Sequence, residues 1–526
     1  MDRRIFLILL VAFFLRAINL ETVPFWQWDE GVNNHIAWNL AHGESRWFAL
    51  AYRWVPHPPL YFALLGIALR LLGYSIIVGR LFNVGLSIAT CYLTYRIGRE
   101  IDDEKTGLLA AAAYAVSPYA VYWGRLTYSN NLVALLTAAS LLMVLEHIRR
   151  KSSVALYAAS LFSGLAFGAG YNGFAACLAL LIVVAKIERN KLIRAAAIMA
   201  APYLVFSAVM LAWDAQGYVH DLDYQFFRFG GGDAFVLHKI VALLFVFYLC
   251  GRTRRGESVY MTYAETITKG AAAFWAASTL LFLYPITDST VLTGLDPYWI
   301  GVAGLLWHVS GKKQTAMRWY LFSIILVVLA LNRLDHMLIP IQLLLSVGLA
   351  RAALTVHART LATLNSKHFA YATAAALIVA SLPFAAASIR SSALTQGYGI
   401  AKYTPSDDAL LAARVQQITK DGDVIVIFPY LDSLFPRTKN TKVLQVISYS
   451  GKAIAYYPGD FPKERWLYNV SQDNVRLMIL TNGTIQWMKE EPAINDVYEK
   501  TSKWKAEDVG RYRVLINPRP VDGSLA

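Results

Sequence analysis

Long apolar runs separated by short polar segments make up most of the first 390 residues of the chain. The runs are about 15–22 residues long, the length that an α-helix needs to cross the hydrocarbon core of a bilayer. The pattern therefore predicts an α-helical, polytopic membrane protein with about thirteen spans. These are residues 4–20, 76–98, 107–123, 131–148, 153–170, 174–187, 193–213, 236–250, 269–286, 298–310, 318–331, 338–354 and 369–389.

The charges between the runs predict how the spans are oriented. Lys and Arg cluster in every second loop, for example at 96–105, 149–151 and 312–318, whereas the intervening loops carry Asp and Glu. Because basic loops stay on the cytoplasmic side, we expect a cytoplasmic N-terminus. The alternation requires that the short apolar run Leu60–Leu72 does not cross. We therefore expect interfacial or re-entrant helix in the first outer loop.

The pattern changes after Arg390, where ordinary polarity returns. An amphipathic segment predicts a helix and three apolar runs predict strands, at Asp407–Thr419, Val424–Phe428, Val475–Thr481 and Arg513–Ile516. An odd number of spans places this region outside the cytoplasm. We therefore expect a transmembrane domain at 1–390 and a small extracytoplasmic α/β domain at 391–526.

Composition favours a membrane protein and argues against one that binds nucleic acid. Of the 526 residues, 56% are hydrophobic and 16% are charged, whereas an ordinary soluble domain has about a quarter charged residues. The net charge of +14 comes mainly from Lys and Arg between apolar runs, where these residues set topology. We expect membrane lipids, and no nucleic acid, as partners.

The predicted topology brings acids and cations from distant loops to the outer boundary of the membrane. A cation there stabilises an anionic leaving group, and a carboxylate can take a proton from an attacking hydroxyl. This combination suits a reaction on a lipid phosphate. The residues are Asp29, Glu30, His35, His57, Arg80, Arg125, Asn130, Arg333, Asp335 and His336.

Four short blocks follow one another along the chain. They are Asp29-Glu30, then His57–Tyr61 with Gly79-Arg80-Leu81, then Thr106–Ala111 with Ser117-Pro118 and Tyr122–Arg125, and finally Arg333 with His336–Pro340. In this order, and on the predicted outer face, the blocks resemble those of the GT-C membrane glycosyltransferases. That superfamily includes the protein mannosyltransferases and the lipid A aminoarabinose transferase.

The resemblance implies an inverting glycosyltransferase of the cell envelope, in the plasma (inner) membrane. Its donor would be a sugar on a polyprenyl phosphate, and its acceptor a hydroxyl or amine of a lipid, glycan or protein. By this analogy Asp29 is the catalytic base, and Glu30 either shares that role or supports the first helical turn. The cations that would bind the donor phosphate, unless the arginines only snorkel to headgroups, are His57, Arg80, Arg125, Arg333 and His336.

Two positions depart from the pattern of the relatives. Val32 stands where the aminoarabinose transferases carry an arginine, so the donor phosphate must be held differently or the donor differs. Ser129-Asn130-Asn131 stands where many relatives carry a second aspartate. Asparagine brings no charge to a metal. The sequence therefore leaves open whether a divalent cation (Mg²⁺ or Mn²⁺) is a cofactor, and Asn130 is its candidate ligand.

Two other classes of function compete with the enzyme. A transporter or flippase of lipid-linked saccharides would place Asp29 in a cavity near mid-membrane, and such proteins often show paired repeats. No duplicated halves are visible in the sequence. A scaffold whose outer domain binds a partner would leave the outer acids and cations unexplained.

Overall fold

The computed structural model describes residues 3–21, 28–43, 58–227, 311–330, 339–361, 407–419, 424–427, 442–445, 475–482, 485–486, 489 and 492–518. The predicted spans at 236–250, 269–286, 298–310 and 369–389 lie outside these residues, as do His57, Arg333, Asp335 and His336.

Two short helices follow the first apolar helix. Helix α1 is Arg3–Ala17, α2 is Trp28–Ala41 and α3 is Leu60–Leu72. A helix of 13 residues is only about 20 Å long, too short to cross a core of about 30 Å. That Leu60–Leu72 lies in the interface or re-enters stays a prediction.

Helices α2 and α3 pack with their backbones in contact. A Cβ on Gly66 would lie 2.4 Å from the carbonyl oxygen of Ala37 and 3.1 Å from Cβ of Ala41. The Arg70 guanidinium also donates to the Ala41 carbonyl at 3.0 Å, at the last residue of α2. The absent side chain at Gly66 therefore lets the two loop helices pair closely.

A bundle of further helices follows, and most of its members coincide with predicted spans. They are α4 (Ile76–Ile101), α5 (Glu104–Val116), α6 (Pro118–Gly124), α7 (Asn130–Arg150), α8 (Ser153–Ala169), α9 (Phe174–Ile187), α10 (Leu192–Phe227), α11 (Gly311–Ala330) and α12 (Ile339–Leu361). Within the described residues, three helical stretches are long and apolar enough to cross a membrane, Ile76–Ile101, Asn130–Arg150 and Arg189–Val219. The total of thirteen spans stays a prediction.

Two predicted spans depart from a single straight helix. The span at 107–123 is divided at Ser117-Pro118, because proline has no N–H to continue the ladder, and the Ser117 hydroxyl accepts from Ala120 N at 3.3 Å. Helix α10 bends at Asp214, whose backbone is non-helical (φ −150, ψ 82). The Asp214 carboxylate accepts from Gly217 N at 2.9 Å, so it caps a second helical segment.

Glycines also allow α4 and α5 to touch. A Cβ on Gly98 would lie 2.9 Å from Cα of Gly107, and a Cβ on Gly107 would lie 2.6 Å from the Tyr95 carbonyl oxygen. Small residues at such contacts are typical of membrane bundles. The Thr106–Ala111 block thus has a packing role in this structure.

The basic loops gather at the C-terminal end of α4. Arg149 pairs with Glu100 at 3.1 Å and Arg351 pairs with Asp102 at 3.1 Å, while Lys313 Nζ donates to the Glu100 carbonyl. Segments that the charge pattern assigned to one side of the membrane therefore meet at one end of the bundle. That this end faces the cytoplasm stays a prediction.

Within its described residues, the C-terminal region forms a five-stranded sheet with two helices. The elements are α13 (Asp407–Ile418), β1 (Val424–Ile427), β2 (Lys442–Gln445), β3 (Val475–Thr481), α14 (Pro492–Thr501), β4 (Lys505–Val509) and β5 (Tyr512–Ile516). The strand order is β2-β1-β3-β5-β4, parallel from β2 to β3 and antiparallel from β3 to β4. The predicted helix and three strands are present, and β2 and β4 are additional.

Tyr74, between α3 and α4, touches both parts of the molecule. Its ring lies 5.2 Å from that of Trp38 on α2, and it packs against the buried cluster of the sheet, which includes Leu411 and Ile479. The sheet therefore lies near the N-terminal end of α4, opposite the Glu100 end. Its placement outside the cytoplasm, and the boundary at 390, stay predictions.

Candidate active site

Glu30 forms the centre of a buried junction in the first turn of α2. Its Oε1 accepts from Arg80 Nε at 2.9 Å and its Oε2 accepts from Arg80 Nη2 at 2.7 Å. Neither side chain is exposed. The Thr127 backbone N–H also donates to Oε1 at 3.0 Å, and Arg80 Nη1 donates to the Leu20 carbonyl at 2.8 Å. Such additional hydrogen bonds offset the desolvation of a buried ion pair.

This junction joins four segments at one end of the bundle. Glu30 belongs to α2, Arg80 to the second turn of α4, Leu20 to the segment after α1, and Thr127 to the link between α6 and α7. Arg80 and Glu100 are separated along one helix by about 30 Å, the thickness of a hydrocarbon core. The Glu30 junction and the Glu100 cluster therefore lie at opposite faces of the bundle.

Two further buried arginines bind the C-terminal end of α1 and the neighbouring α5. Arg125 donates to the carbonyls of Leu15, at 3.2 Å, and Ile18. Arg16 donates to the Ser87 hydroxyl at 2.8 Å and to the Ala115 carbonyl at 3.0 Å. Cations at helix C-termini complement the helix dipole. Both guanidinium groups thus stabilise helix ends in this structure.

Buried asparagines form further hydrogen bonds between neighbouring helices of the bundle. Asn131 Nδ2 donates to Asn83 Oδ1 at 3.1 Å and to the Trp123 carbonyl at 3.0 Å. Asn83 Nδ2 donates in turn to the Tyr61 hydroxyl at 2.8 Å. Asn33 Nδ2 donates to the Thr127 carbonyl at 2.7 Å. Asn83 and Asn131 therefore join α3, α4 and α7, and Asn33 joins α2 to the segment between α6 and α7.

The chain resembles a known family model and several solved structures. The model described as dolichyl-phosphate-mannose-protein mannosyltransferase matches residues 56–213. ArnT from Cupriavidus metallidurans bound to undecaprenyl phosphate is similar with a TM-score of 0.62 at 14% identity, over 99% of this chain and 98% of that one. The Archaeoglobus fulgidus oligosaccharyltransferase in the apo form is similar with a TM-score of 0.55 at 13% identity, over 96% of this chain and 72% of that one.

A third similar structure is the archaeal oligosaccharyltransferase AglB from Archaeoglobus fulgidus, in complex with an inhibitory peptide and a dolichol-phosphate. Its TM-score is 0.52 at 12% identity, over 98% of this chain and 74% of that one. No protein with a curated functional description matches the chain by sequence. The chain has the fold of the GT-C membrane glycosyltransferases. The resemblance predicted from the sequence blocks is thereby confirmed.

Within the GT-C fold, the structure brings part of the predicted site together. Asp29 and Glu30 occupy the first turn of α2, and Arg80 contacts Glu30 directly. Arg125 lies at the same end of the bundle, bound to α1. Phosphate binding by Arg80 and Arg125 stays a prediction. In the structure, the guanidinium groups of Arg80 and Arg125 both donate hydrogen bonds to protein oxygens.

Sequence reasoning missed several residues of this region. Arg16, Asn33, Asn83 and Thr127 were not predicted as site residues, although each forms buried hydrogen bonds at this end of the bundle. The available signal was polarity: Arg16 and Asn83 stand within apolar runs, where a polar side chain needs a buried partner.

A metal site can be looked for only among the described residues. Among the residues that the structure describes, no three His, Cys, Asp or Glu side chains are close enough to hold a metal ion. Asn130 is buried in the first turn of α7. Its role as a ligand of Mg²⁺ or Mn²⁺ stays a prediction.

Proposed function

We propose that this chain is an inverting glycosyltransferase that moves one sugar from a polyprenyl phosphate to an acceptor at the outer side of the plasma membrane. The GT-C fold supports this assignment, as do relatives of that fold bound to undecaprenyl phosphate and dolichol-phosphate. The observation that carries the proposal is the buried Glu30–Arg80–Thr127 junction. It fixes the helical turn that contains Asp29 at the end of the bundle.

The proposed reaction is a single displacement at the anomeric carbon. Asp29 takes the proton from the acceptor hydroxyl or amine, whose oxygen or nitrogen then bonds to the anomeric carbon. The bond from that carbon to the phosphate oxygen breaks, and the polyprenyl phosphate leaves as an anion. Cations around it stabilise the developing charge, and His57, Arg333 and His336 are assigned this role by the family blocks.

Glu30 and Arg80 are positioning residues in this proposal. The Glu30 carboxylate is fully buried and accepts three hydrogen bonds, a geometry suited to holding α2 in place rather than to collecting a proton. Arg80 acts through Glu30, and Arg125 acts through α1. All three contribute a fixed framework, and Arg125 also contributes positive charge on the side of the donor phosphate.

The position of Asp29 favours an enzyme over a transporter. The neighbouring Glu30 contacts the loop residue Thr127, and its partner Arg80 contacts Leu20, which follows α1. These are segments at one end of the bundle, about 30 Å along α4 from Glu100. A mid-membrane cavity around Asp29, which a flippase would require, does not fit this placement.

The test is sugar transfer in detergent from a panel of synthetic polyprenyl-phosphate sugars to lipid, glycan and peptide acceptors, with and without EDTA. Asp29→Asn should abolish transfer and leave the unfolding curve unchanged. The matched control is Glu21→Gln, which neutralises an exposed carboxylate near the same end. Full turnover by Asp29→Asn would remove Asp29 from the reaction, and transfer by no donor in the panel would refute the function.

A further inference from the structure

Two buried side chains beside the Glu30 junction leave polar atoms without hydrogen-bond partners. Asn34 is 0% exposed, and neither its Oδ1 nor its Nδ2 has a partner. Thr127 is equally buried, and its Oγ1 has no partner either. Buried polar groups are almost always hydrogen-bonded. Three orphaned atoms at one place therefore require an explanation.

The orphaned oxygens meet over Gly79 of α4. A Cβ at Gly79 would lie 2.4 Å from Asn34 Oδ1 and 3.0 Å from Thr127 Oγ1. The two oxygens are therefore no farther apart than two hydrogen bonds of about 2.8 Å laid end to end. A hydroxyl group placed between the two side chains can hydrogen-bond to both oxygens, whereas any side chain at position 79 would collide with them.

The chemistry of the two side chains selects what can bind there. An amide presents one donor group and one acceptor, and a hydroxyl presents both. Neither side chain carries a charge. The complementary group is an uncharged one that donates and accepts together, which is a hydroxyl. A phosphate fits poorly, because the Asn34 carbonyl oxygen would face its anionic oxygens.

We propose that Asn34 and Thr127 form a hydroxyl subsite for the donor sugar. Asn34 follows Glu30 by one helical turn and lies on the same face of α2. The Thr127 backbone is bound to Glu30 and Asn33 of that helix. The subsite is therefore built from the two segments that fix Asp29, where the sugar of the proposed reaction must lie. This inference rests on the proposed function.

Burial gives such a subsite its power to discriminate. Where no water replaces a missing hydroxyl, an analogue that lacks it leaves the protein amide unpaired. The deoxy form of the recognised position should therefore be a poorer donor by at least about tenfold in kcat/KM. Sugars that lack any other hydroxyl should not show a penalty that depends on Asn34.

The experiment measures kcat/KM of the full chain in detergent with the best polyprenyl-phosphate sugar of the panel and with its monodeoxy analogues, each lacking one ring hydroxyl. Two variants remove the subsite: Asn34→Leu deletes the amide, and Thr127→Val deletes the hydroxyl but keeps both backbone bonds. In each variant the penalty for one deoxy analogue, and only that one, should fall to nearly one. The control is Gln342→Leu, which deletes a buried amide with an unpartnered Oε1 on α12 and should leave every penalty unchanged.

The outcomes separate the two proposals. If the unmodified chain transfers sugar from none of the donors, the proposed function is refuted, and so is this inference. Normal transfer with the same deoxy penalties in both variants refutes the hydroxyl subsite alone, and assigns the place to a trapped water. If Asn34→Leu does not fold, as judged by its unfolding curve, Thr127→Val decides by itself, because it is nearly isosteric.

Discussion

Ion pairs lie at both ends of α4, but water reaches them at only one end. At the N-terminal end, Glu30 and Arg80 are both 0% exposed. At the C-terminal end, one member of each pair reaches water: Arg149 is 43% exposed and its partner Glu100 is 5% exposed, whereas Asp102 is 47% exposed and its partner Arg351 is 12% exposed. The same helix thus carries a buried ion pair at one end and partly solvent-exposed ion pairs at the other, and the two ends are about 30 Å apart.

The difference separates two physical roles. Exposed pairs contribute about 0–1 kcal/mol, and salt weakens them further. A buried pair gains little over well-packed apolar residues, because desolvation consumes its Coulomb energy. Stability therefore does not account for Glu30 and Arg80. In the proposed function, a fixed arrangement of polar groups beside the reacting centre accounts for them, and we therefore propose that they are positioning residues.

Breaking the buried pair should have the largest effect. Glu30→Gln leaves the Arg80 guanidinium without its buried counter-charge, a loss of about 3–5 kcal/mol in the free energy of unfolding. Arg149→Ala at the opposite end should lose clearly less, because Arg149 is 43% exposed and water can reach the Glu100 carboxylate once the arginine is removed. Chemical unfolding in mixed micelles measures both, and equal midpoints for the two variants would contradict the comparison.

The double variant Glu30→Gln/Arg80→Met sharpens the distinction between stability and positioning. Because it removes the uncompensated charge, it should regain stability relative to Glu30→Gln. If the pair serves only stability, sugar transfer should return as well. The positioning role predicts that stability returns and transfer does not.

Close helix contacts offer a second comparison of the two ends, with a smaller effect. Gly66→Ala would place a methyl group 2.4 Å from the Ala37 carbonyl oxygen and should cost about 1–3 kcal/mol. Gly98→Ala, against Gly107 at the other end, should cost a similar amount. Only Gly66→Ala should also reduce transfer, because it displaces α2, which carries Asp29.

Gly85→Ala is the control for both substitutions. A Cβ at Gly85 would meet nothing within 4 Å, so alanine should raise the free energy of unfolding by about 0.5–1 kcal/mol through helix propensity. The free energies of unfolding of the three glycine variants are compared from their unfolding curves in one detergent. A loss for Gly85→Ala as large as that for Gly66→Ala would show that the alanines act through something other than contact.

Hydrophobic periodicity was enough to predict most of the helices and three strands. Runs such as Ile76–Ile101 have the length and composition of a span, and β3 is an apolar run. Strand β4 escaped prediction, because its sequence Lys-Ala-Glu-Asp-Val carries charges suited to an edge. The bend at Asp214 depends on a side-chain cap, which no average over a window detects.

The site could be predicted only one residue at a time. Glu30 and Arg80 were each identified from the family blocks, yet their pairing across 50 positions depends on how α2 packs against α4. Asn34 and Thr127 gave no signal at all, since an asparagine and a threonine near loops are ordinary. Their significance comes from burial and from Gly79, which are properties of tertiary structure.

A small effect is predicted for a titratable helix cap at the water-exposed end. The Asp103 carboxylate accepts from the Thr106 N–H and hydroxyl, both at 2.8 Å, at the start of α5. These hydrogen bonds hold the pKa of Asp103 below its ordinary value. A lowered pKa in the folded state means that the stabilisation is present above the unfolded pKa of about 3.9, and is lost as the pH falls through the folded pKa.

Asp103→Ala should therefore lower the free energy of unfolding by about 1 kcal/mol at neutral pH, and by progressively less as the pH falls below about 4. Ser152→Ala removes a cap that does not titrate, since the Ser152 hydroxyl accepts from Ala155 N at 3.3 Å at the start of α8. Its deficit should stay constant over the same pH range. A constant deficit for Asp103→Ala would mean that the carboxylate charge contributes nothing, and that this end of the bundle is as insensitive to protons as the serine cap.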